Sequence, residues 1–360
     1  MTMEFVNVSL WDELAAETRP VFLYGTGNGG DKILAALEKY NVTLTGVFAS
    51  DGFVRDRYFH GYHVRSYSDV AAEYGDDIVI LLAFGTTLDS VKEFIFFLDR
   101  KHDLRIPDVP LYGGELFDMA YFAEHRDVLE QTAALFADDV SRKLFYDAVN
   151  FRLTGKTAYL TDTGDAVRSL AELFGGKTIG TMLDGGAFKG DSAAEFIEGI
   201  HPEKILAVEA DPKTFVKLSA YAEAESRAEV IPVNAALFDR DGEMEYVSSG
   251  SRGSGKDGQN HRASGKTVPM RTIDTICDGA DIDLIKLDVE GAEESALKGA
   301  EKTIRRCRPN MAVSLYHRTD DLYALVNEVH SLLPEHRLYL RRVPCIPMWD
   351  LNLFAVRGIR

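Results

Sequence analysis

The residues best placed to do chemistry begin with Leu183-Asp184-Gly185-Gly186-Ala187-Phe188-Lys189-Gly190-Asp191-Ser192. An apolar run ends at Asp184, a glycine turn follows, and a helix is predicted to start near Asp191 and Ser192. Gly185 and Gly186 let the backbone approach a ligand closely. Ala187, Phe188 and Gly190 complete the turn. The helix start offers free N–H groups and a partial positive charge. Asp184 can take an ammonium, directly or through water, so the turn suits the amino-acid end of a ligand.

A second acid stands 25 residues further on, in Ala207-Val208-Glu209-Ala210-Asp211-Pro212. An acid at the end of the next strand can accept hydrogen bonds from both hydroxyls of a ribose. Alone, Glu209 would read as a surface acid; behind a glycine turn at this spacing it reads as a ribose site. Val233-Asn234-Ala235-Ala236 ends the third strand, where an adenine would lie. Asn234 can equally be a plain turn former there. An amino-acid end, a ribose and an adenine together describe S-adenosylmethionine.

The fourth segment is Ile285-Lys286-Leu287-Asp288-Val289-Glu290-Gly291-Ala292-Glu293, and a fifth strand ends at Ser314-Leu315-Tyr316-His317-Arg318. Both strand ends should face the crevice at the carboxyl edge of a parallel sheet. Methyl transfer to an alcohol needs orientation and removal of the alcohol proton. His317 is the expected base, because an ordinary imidazole titrates near ~6.5. The bland alternative is a hydrogen-bonded structural histidine. Asp288 would steer the ring, touch the cofactor ammonium, or ligate a divalent metal. The metal-free version is favoured, because the sequence displays no dense carboxylate cluster.

These segments carry a family resemblance. Asp-Gly-Gly-Ala-Phe-Lys-Gly-Asp, Glu-Ala-Asp-Pro, Lys-Leu-Asp-Val-Glu-Gly-Ala-Glu and the late His317 resemble the FkbM family of methyltransferases. The likeness runs from about Asp138 to Arg360 and includes Asn150-Phe151-Arg152-Leu153-Thr154-Gly155. It implies an S-adenosylmethionine-dependent O-methyltransferase acting on sugar or polyketide hydroxyls. Phe188 departs from the family pattern, which usually has Asn in that turn; a side-chain contact to the ligand is lost and the glycines remain.

The elements that must position these residues follow from periodicity. Strands are predicted at Thr181–Asp184, Lys204–Glu209, Glu229–Val233, Asp283–Leu287 and Met311–Leu315. A closing hairpin, His336–Val343 and Asn352–Arg357, turns through Pro344, Pro347 and Trp349. The fold class is α/β, with a C-terminal seven-stranded Rossmann-like methyltransferase domain at 176–360. A helical connector is expected at 118–175. A smaller N-terminal Rossmann-like α/β domain, 1–117, is expected from a helical lead (Trp11 to Thr18), strands Val21–Tyr24, Thr43–Ala49 and Ile78–Phe84, and alternating helices. Its Gly25-x-Gly27-x-x-Gly30, with Asp51 after the next strand, resembles a dinucleotide fingerprint, a weak signal on its own. A scaffold or oligomerisation domain that keeps only the turn explains it as well. Ser248–Lys266, rich in Gly and Ser, reads as a mobile loop. Its Arg252, Lys256, His261 and Arg262 would suit an anionic acceptor.

The formal net charge of −17 argues against a nucleic-acid substrate, which needs Lys and Arg to displace counterions. Cys277, Cys307 and Cys345 form no CxxC pair, so zinc-knuckle and redox motifs are excluded. No apolar run approaches the ~20 residues of a membrane span, and the start of the chain lacks a secretory pattern. The expectation is a cytoplasmic enzyme with a small-molecule or glycan acceptor, no membrane partner, and homo-oligomerisation left open. Two rivals remain: an NAD(P)-dependent oxidoreductase using the N-terminal domain, and a nucleotide-binding module with an inactive methyltransferase half.

Overall fold

A computed structural model describes residues 3–246 and 266–358. The N-terminal unit has strands β1 (Val21–Tyr24), β2 (Gly46–Ala49), β3 (Tyr58–Phe59), β4 (Tyr62–Ser66), β5 (Val79–Leu82) and β6 (Asp103–Arg105), in the order β3-β4-β2-β1-β5-β6. All neighbours are parallel except β3 and β4. Helices α1 (Leu10–Ala15), α2 (Asn28–Lys39), α3 (Tyr67–Tyr74) and α4 (Asp89–Lys101) accompany them. Alternate residues of β1 serve opposite faces, as the two-residue period requires. Val21 and Leu23 pack with Trp11, Ile33 and Leu37, while Phe22 and Tyr24 join Tyr67, Val70, Ile95 and Leu98. Helices on both faces explain why β1 and β5 are buried along their whole length. The short strands β3, β4 and β6 and helix α3 escape the sequence reading, because their exposed or polar residues break the apolar pattern.

Three helices follow: α5 (Met119–Leu135), α6 (Asp139–Thr154) and α7 (Ala166–Phe174). Helix α6 is buried along most of its length, which marks a helix surrounded by protein. It ties the chain together. Asn150 accepts from Val6 N at 2.9 Å, and Arg152 Nη1 donates to the Thr319 carbonyl at 2.7 Å. One continuous core therefore runs from Phe22 and Ile80 through Leu144 and Phe145 to Leu338 and Leu353.

The C-terminal unit begins with β7 (Thr181–Gly185), α8 (Asp191–Ile200), β8 (Lys204–Glu209), α9 (Pro212–Ala224) and β9 (Glu229–Asn234). A small sheet of β10 (Ala236–Leu237), β11 (Gly242–Tyr246) and β12 (Lys266–Arg271) comes next and has no counterpart in the sequence reading. The rest comprises α10 (Ile273–Cys277), β13 (Leu284–Leu287), α11 (Glu293–Lys298), α12 (Glu301–Cys307), β14 (Asn310–Ser314), α13 (Asp321–Leu332), β15 (His336–Arg342) and β16 (Leu351–Arg357). The large sheet is seven-stranded, in the order β15-β16-β14-β13-β7-β8-β9, and only β16 runs antiparallel to its neighbours. The α/β class and the seven-stranded sheet match the sequence expectation. Apart from Lys266, the Ser248–Lys266 loop falls outside the described residues. Among the described residues no helix is long and apolar enough to cross a membrane.

The turn between β15 and β16 docks onto the N-terminal sheet. Thr86 N donates to the Ile346 carbonyl at 2.6 Å, and Ile346 N donates back to Thr86 O at 3.0 Å. Gly85 lies against the Trp349 ring, where an added Cβ would come within 2.2 Å. Overpacking of this kind costs about 1–3 kcal/mol. Gly85→Val is therefore expected to lower the unfolding free energy in urea by about that amount. Gly52→Ala, with open space around it, should be near neutral; equal effects of the two would contradict this docking.

Candidate functional site

The end of β7 is held by a buried ion pair that the sequence reading missed. Asp184 is fully buried, and its Oδ1 lies 3.0 Å from Lys286 Nζ. Ser192 Oγ donates to Asp184 Oδ2 at 2.6 Å. Lys286 also donates to the carbonyls of Gly185 (3.1 Å) and Gly186 (2.9 Å). Burial works against the Lys286 charge, but Asp184, Asp288 and Glu209 outweigh it and hold the ammonium above the ordinary lysine value. Asp184 thus already has a cation, and its part in the turn is to fix strand β7 to β13. The one available signal was a lysine inside the apolar run Leu284-Ile285-Lys286-Leu287.

The turn itself is tight. Gly186 sits at φ 75°, and a Cβ there would meet the Asp288 carbonyl at 1.9 Å. The cofactor turn and the Asp288 turn are therefore in backbone contact. Phe188 takes a left-handed φ of 51°, a conformation that Asn tolerates better than Phe. The Lys189 ammonium lies 5.3 Å from the centre of the Phe188 ring.

A cavity of about 430 Å³ opens over these elements. Gly186, Phe188, Asp191, Ser192, Glu209, Ala210, Asp211, Ala235 and Asp288 line it. Gly185 and Ala187 are buried beneath it, and Gly190 caps α8 at φ 99°. Asn234 stands behind the wall and donates to the carbonyls of Glu209 (2.8 Å) and Ala210 (3.3 Å), fixing the loop that carries Glu209. Asp211 caps α9 by accepting from Lys213 N at 2.8 Å. Glu209 Oε1 accepts from Asp211 N at 2.6 Å. Burial pushes the Glu209 carboxyl up to about 7, against backbone N–H bonds from Asp211 and Phe188 that favour its charge. These residues fit S-adenosylmethionine. The Gly186 turn, which leaves no room for a side chain against Asp288, lines the cavity, and a buried carboxylate waits where ribose hydroxyls would donate.

The turn after β13 gathers charge. Glu290 has a positive φ of 56° and Gly291 one of 89°, so the chain folds back and brings Asp288, Glu290 and Glu293 around one ring. His317 Nδ1 lies 2.9 Å from Glu293 Oε1; its Nε2 lies 3.5 Å from Asp288 Oδ1 and 3.6 Å from Glu290 Oε2. This corrects the sequence expectation that no carboxylate cluster exists. A spacing of two and three residues does not reveal that a left-handed turn folds all three acids inward. His317 is 1% exposed. Burial opposes its charge, yet Glu293, Asp288 and Glu290 overcome that and raise its pKa to about 10. The ring is buried and does not line the cavity. Asp288 is held below the usual carboxylate range: burial raises it, while Lys286, His317 and the Tyr316 hydroxyl lower it by more. Tyr316 OH donates to Asp288 Oδ1 at 3.0 Å, and Tyr112 OH donates to Glu290 Oε2 at 2.5 Å. Tyr112, Glu290 and Tyr316 are site residues that the sequence reading did not single out.

The N-terminal motif is built differently from a nucleotide site. Gly25 and Gly27 lie between β1 and α2 and Gly30 in the first turn of α2, but Asp51 accepts from Ser68 N at 3.0 Å and from Ser68 Oγ, at the start of α3. The neighbouring strand end, Gly85-Thr86, is covered by Ile346 and Trp349. The carboxylate that a dinucleotide's ribose would use is thus engaged within the protein.

No curated protein matches the chain. Residues 184–342 match the methyltransferase FkbM domain. Among solved structures, methyltransferase FkbM from Methylobacillus flagellatus KT superposes with a TM-score of 0.66 at 21% identity, covering 98% of this chain and 94% of that one. Precorrin-6y C5,15-methyltransferase from Geobacter metallireducens GS-15 is similar at a TM-score of 0.35 and 11% identity, over 53% of this chain and 87% of that one. Fibrillarin from Aeropyrum pernix, solved with S-adenosyl-L-methionine, is similar at a TM-score of 0.33 and 16% identity, over 53% and 76% of the two chains. Residues 184–342, which contribute the cavity at the carboxyl ends of β7 and β8, are thus similar to the methyltransferase FkbM domain, and the seven-stranded sheet is the one found in methyltransferase FkbM.

Proposed function

We propose that the enzyme methylates a hydroxyl of a carbohydrate or natural-product acceptor that enters between the two α/β units. The observation that supports this most is a junction of two cavities. A cleft of about 1190 Å³ runs along α2 and the docked Trp349 turn. It shares Tyr112, Glu290, Tyr316 and Asp350 with the cofactor cavity. Hydroxyl and carboxylate groups at the junction suit a polyol, and Trp349 and Leu111 offer apolar walls. The N-terminal unit shapes this cleft. Lys32 of α2 donates to the carbonyls of Pro110 (2.7 Å) and Leu111 (2.6 Å), and so holds the segment bearing Tyr112.

Bound S-adenosylmethionine supplies an activated methyl group with a good leaving group. This chain's residues supply the rest. Glu209 accepts from the ribose hydroxyls, and the Gly186 turn takes the amino-acid end. Glu290, at the junction, accepts the acceptor proton, while His317 packs among Asp288, Glu290 and Glu293.

Transfer of a tritiated methyl group should be screened over nucleotide sugars and glycans, with the product identified by mass spectrometry. A methyl ether is expected. Methylation on nitrogen or carbon would overturn the hydroxyl reading.

The Glu209 carboxyl makes cofactor binding pH-dependent. Its ionised form accepts from two hydroxyls, so affinity should be flat above about pH 7 and fall as the pH drops through it. Binding just below that pH should release a proton, seen as a buffer-dependent heat in calorimetry. Hydrogen bonds to a charged group contribute about 1.5–3 kcal/mol, so Glu209→Gln should bind roughly tenfold more weakly and lose the pH dependence. A folded variant with wild-type affinity would remove Glu209 from the site.

A further inference from the structure

We propose that Asp288, Glu293 and His317 hold a divalent metal ion beside the junction of the two cavities. Each offers one donor atom, and these atoms all lie within 4.8 Å of one another. His317 and Glu293 are both 1% exposed. His317 Nε2 and Glu293 Oε2 are buried without a hydrogen bond, while His317 Nδ1 lies 2.9 Å from Glu293 Oε1. Buried polar atoms of this kind are rare and call for a partner. Unpartnered atoms of this kind beside the Asp288 carboxylate call for a cation.

The spacing on the Nε2 side of the ring suits an ion. A proton on Nε2 would find its nearest carboxylate oxygens at 3.5 Å (Asp288) and 3.6 Å (Glu290), beyond the ~2.7–3.2 Å of N–H···O bonds. Two donors that each stand ~2.1 Å from one tetrahedral ion are roughly 3.4 Å apart. The remaining geometry is that of a supported site. Val289 N donates to Glu293 Oε1 at 2.7 Å, which orients that carboxylate and leaves Oε2 for the ion. Tyr316 OH does the same for Asp288 at 3.0 Å. One imidazole with carboxylates suits Mn²⁺, Fe²⁺ or Zn²⁺ better than a soft ion. The sequence hides this set, because its members come from a folded-back turn and from the end of the neighbouring strand. The inference stands independently of which acceptor is methylated.

The test is a titration of the chelator-treated, full-length protein with Mn²⁺, followed by electron paramagnetic resonance of the free ion. One saturable equivalent per chain is expected above the weak, salt-sensitive binding that a net charge of −17 brings. His317→Ala should weaken that equivalent at least about tenfold. Glu293→Gln, which keeps the volume of the side chain, should do so as well and covers the case in which His317→Ala fails to fold. Mn²⁺ should also raise the melting temperature of the wild type, since an ion that binds only the native state stabilises it. The proposal is overturned if no saturable equivalent appears, or if it persists at wild-type affinity in a folded Glu293→Gln protein. Calorimetry with S-adenosylmethionine on the metal-free wild type separates this from cofactor binding; retained cofactor affinity without a Mn²⁺ site would sink the metal site alone.

Discussion

Glu290→Gln should lower kcat by about 10²–10⁴ while S-adenosylmethionine affinity stays within a few-fold, the usual effect of removing a general base. The geometry behind this is local. Glu290 lines both cavities, so its carboxylate faces the place where cofactor and acceptor meet. Its backbone is held at a φ of 56°, a strained conformation for a residue other than glycine, of the kind that clusters at functional sites. Tyr112 OH donates to Oε2 at 2.5 Å and fixes the side chain. Glutamine keeps that contact and the size but cannot take a proton. His317 was the sequence candidate for this step; it is 1% exposed and does not line the cavity, whereas Glu290 does. A folded Glu290→Gln enzyme with wild-type kcat on the acceptor found by the screen would remove the base role. A loss of cofactor affinity instead of kcat would place Glu290 against the cofactor.

What the sequence made legible depends on how local the signal is. The strands of the large sheet were readable because each is a short apolar run with turn residues at its ends. The cofactor turn was readable because only glycine permits the approach of Gly186 to Asp288. Long-range partners were not. Asp51 stands at the spacing of a ribose-binding acid, but spacing cannot show that Ser68 takes its carboxylate. Asp184 looks like a receptor for the cofactor ammonium until β13 aligns Lys286 beside it. His317 looks like an ordinary imidazole, because nothing in the string shows a left-handed Glu290 turning three carboxylates toward it. The fold of the backbone follows from periodic, local choices. The charge state of a site follows from which distant strands become neighbours.

That adjacency underlies the second large effect, on stability. Lys286→Met should destabilise the protein by about 3–5 kcal/mol, because it leaves Asp184 as a buried carboxylate without its cation. Asp184 is fully buried and lies 3.0 Å from Lys286 Nζ, in register across β7 and β13. The lysine also loses its bonds to the Gly185 and Gly186 carbonyls, so the cofactor turn should loosen and affinity for S-adenosylmethionine should fall together with stability. The double variant Asp184→Asn with Lys286→Met separates the causes. Replacing both members of a buried pair is often close to neutral, since neither is left uncompensated. The double variant should therefore recover most of the unfolding free energy lost by Lys286→Met, as measured by urea denaturation. Its cofactor affinity should remain low, because the two carbonyls of the turn still lack their ammonium. If Lys286→Met is as stable as the wild type, Asp184 is not an ion in the folded state. If the double variant is less stable than the single one, the Asp184 carboxylate stabilises the turn without the ammonium, through its bond from Ser192 Oγ.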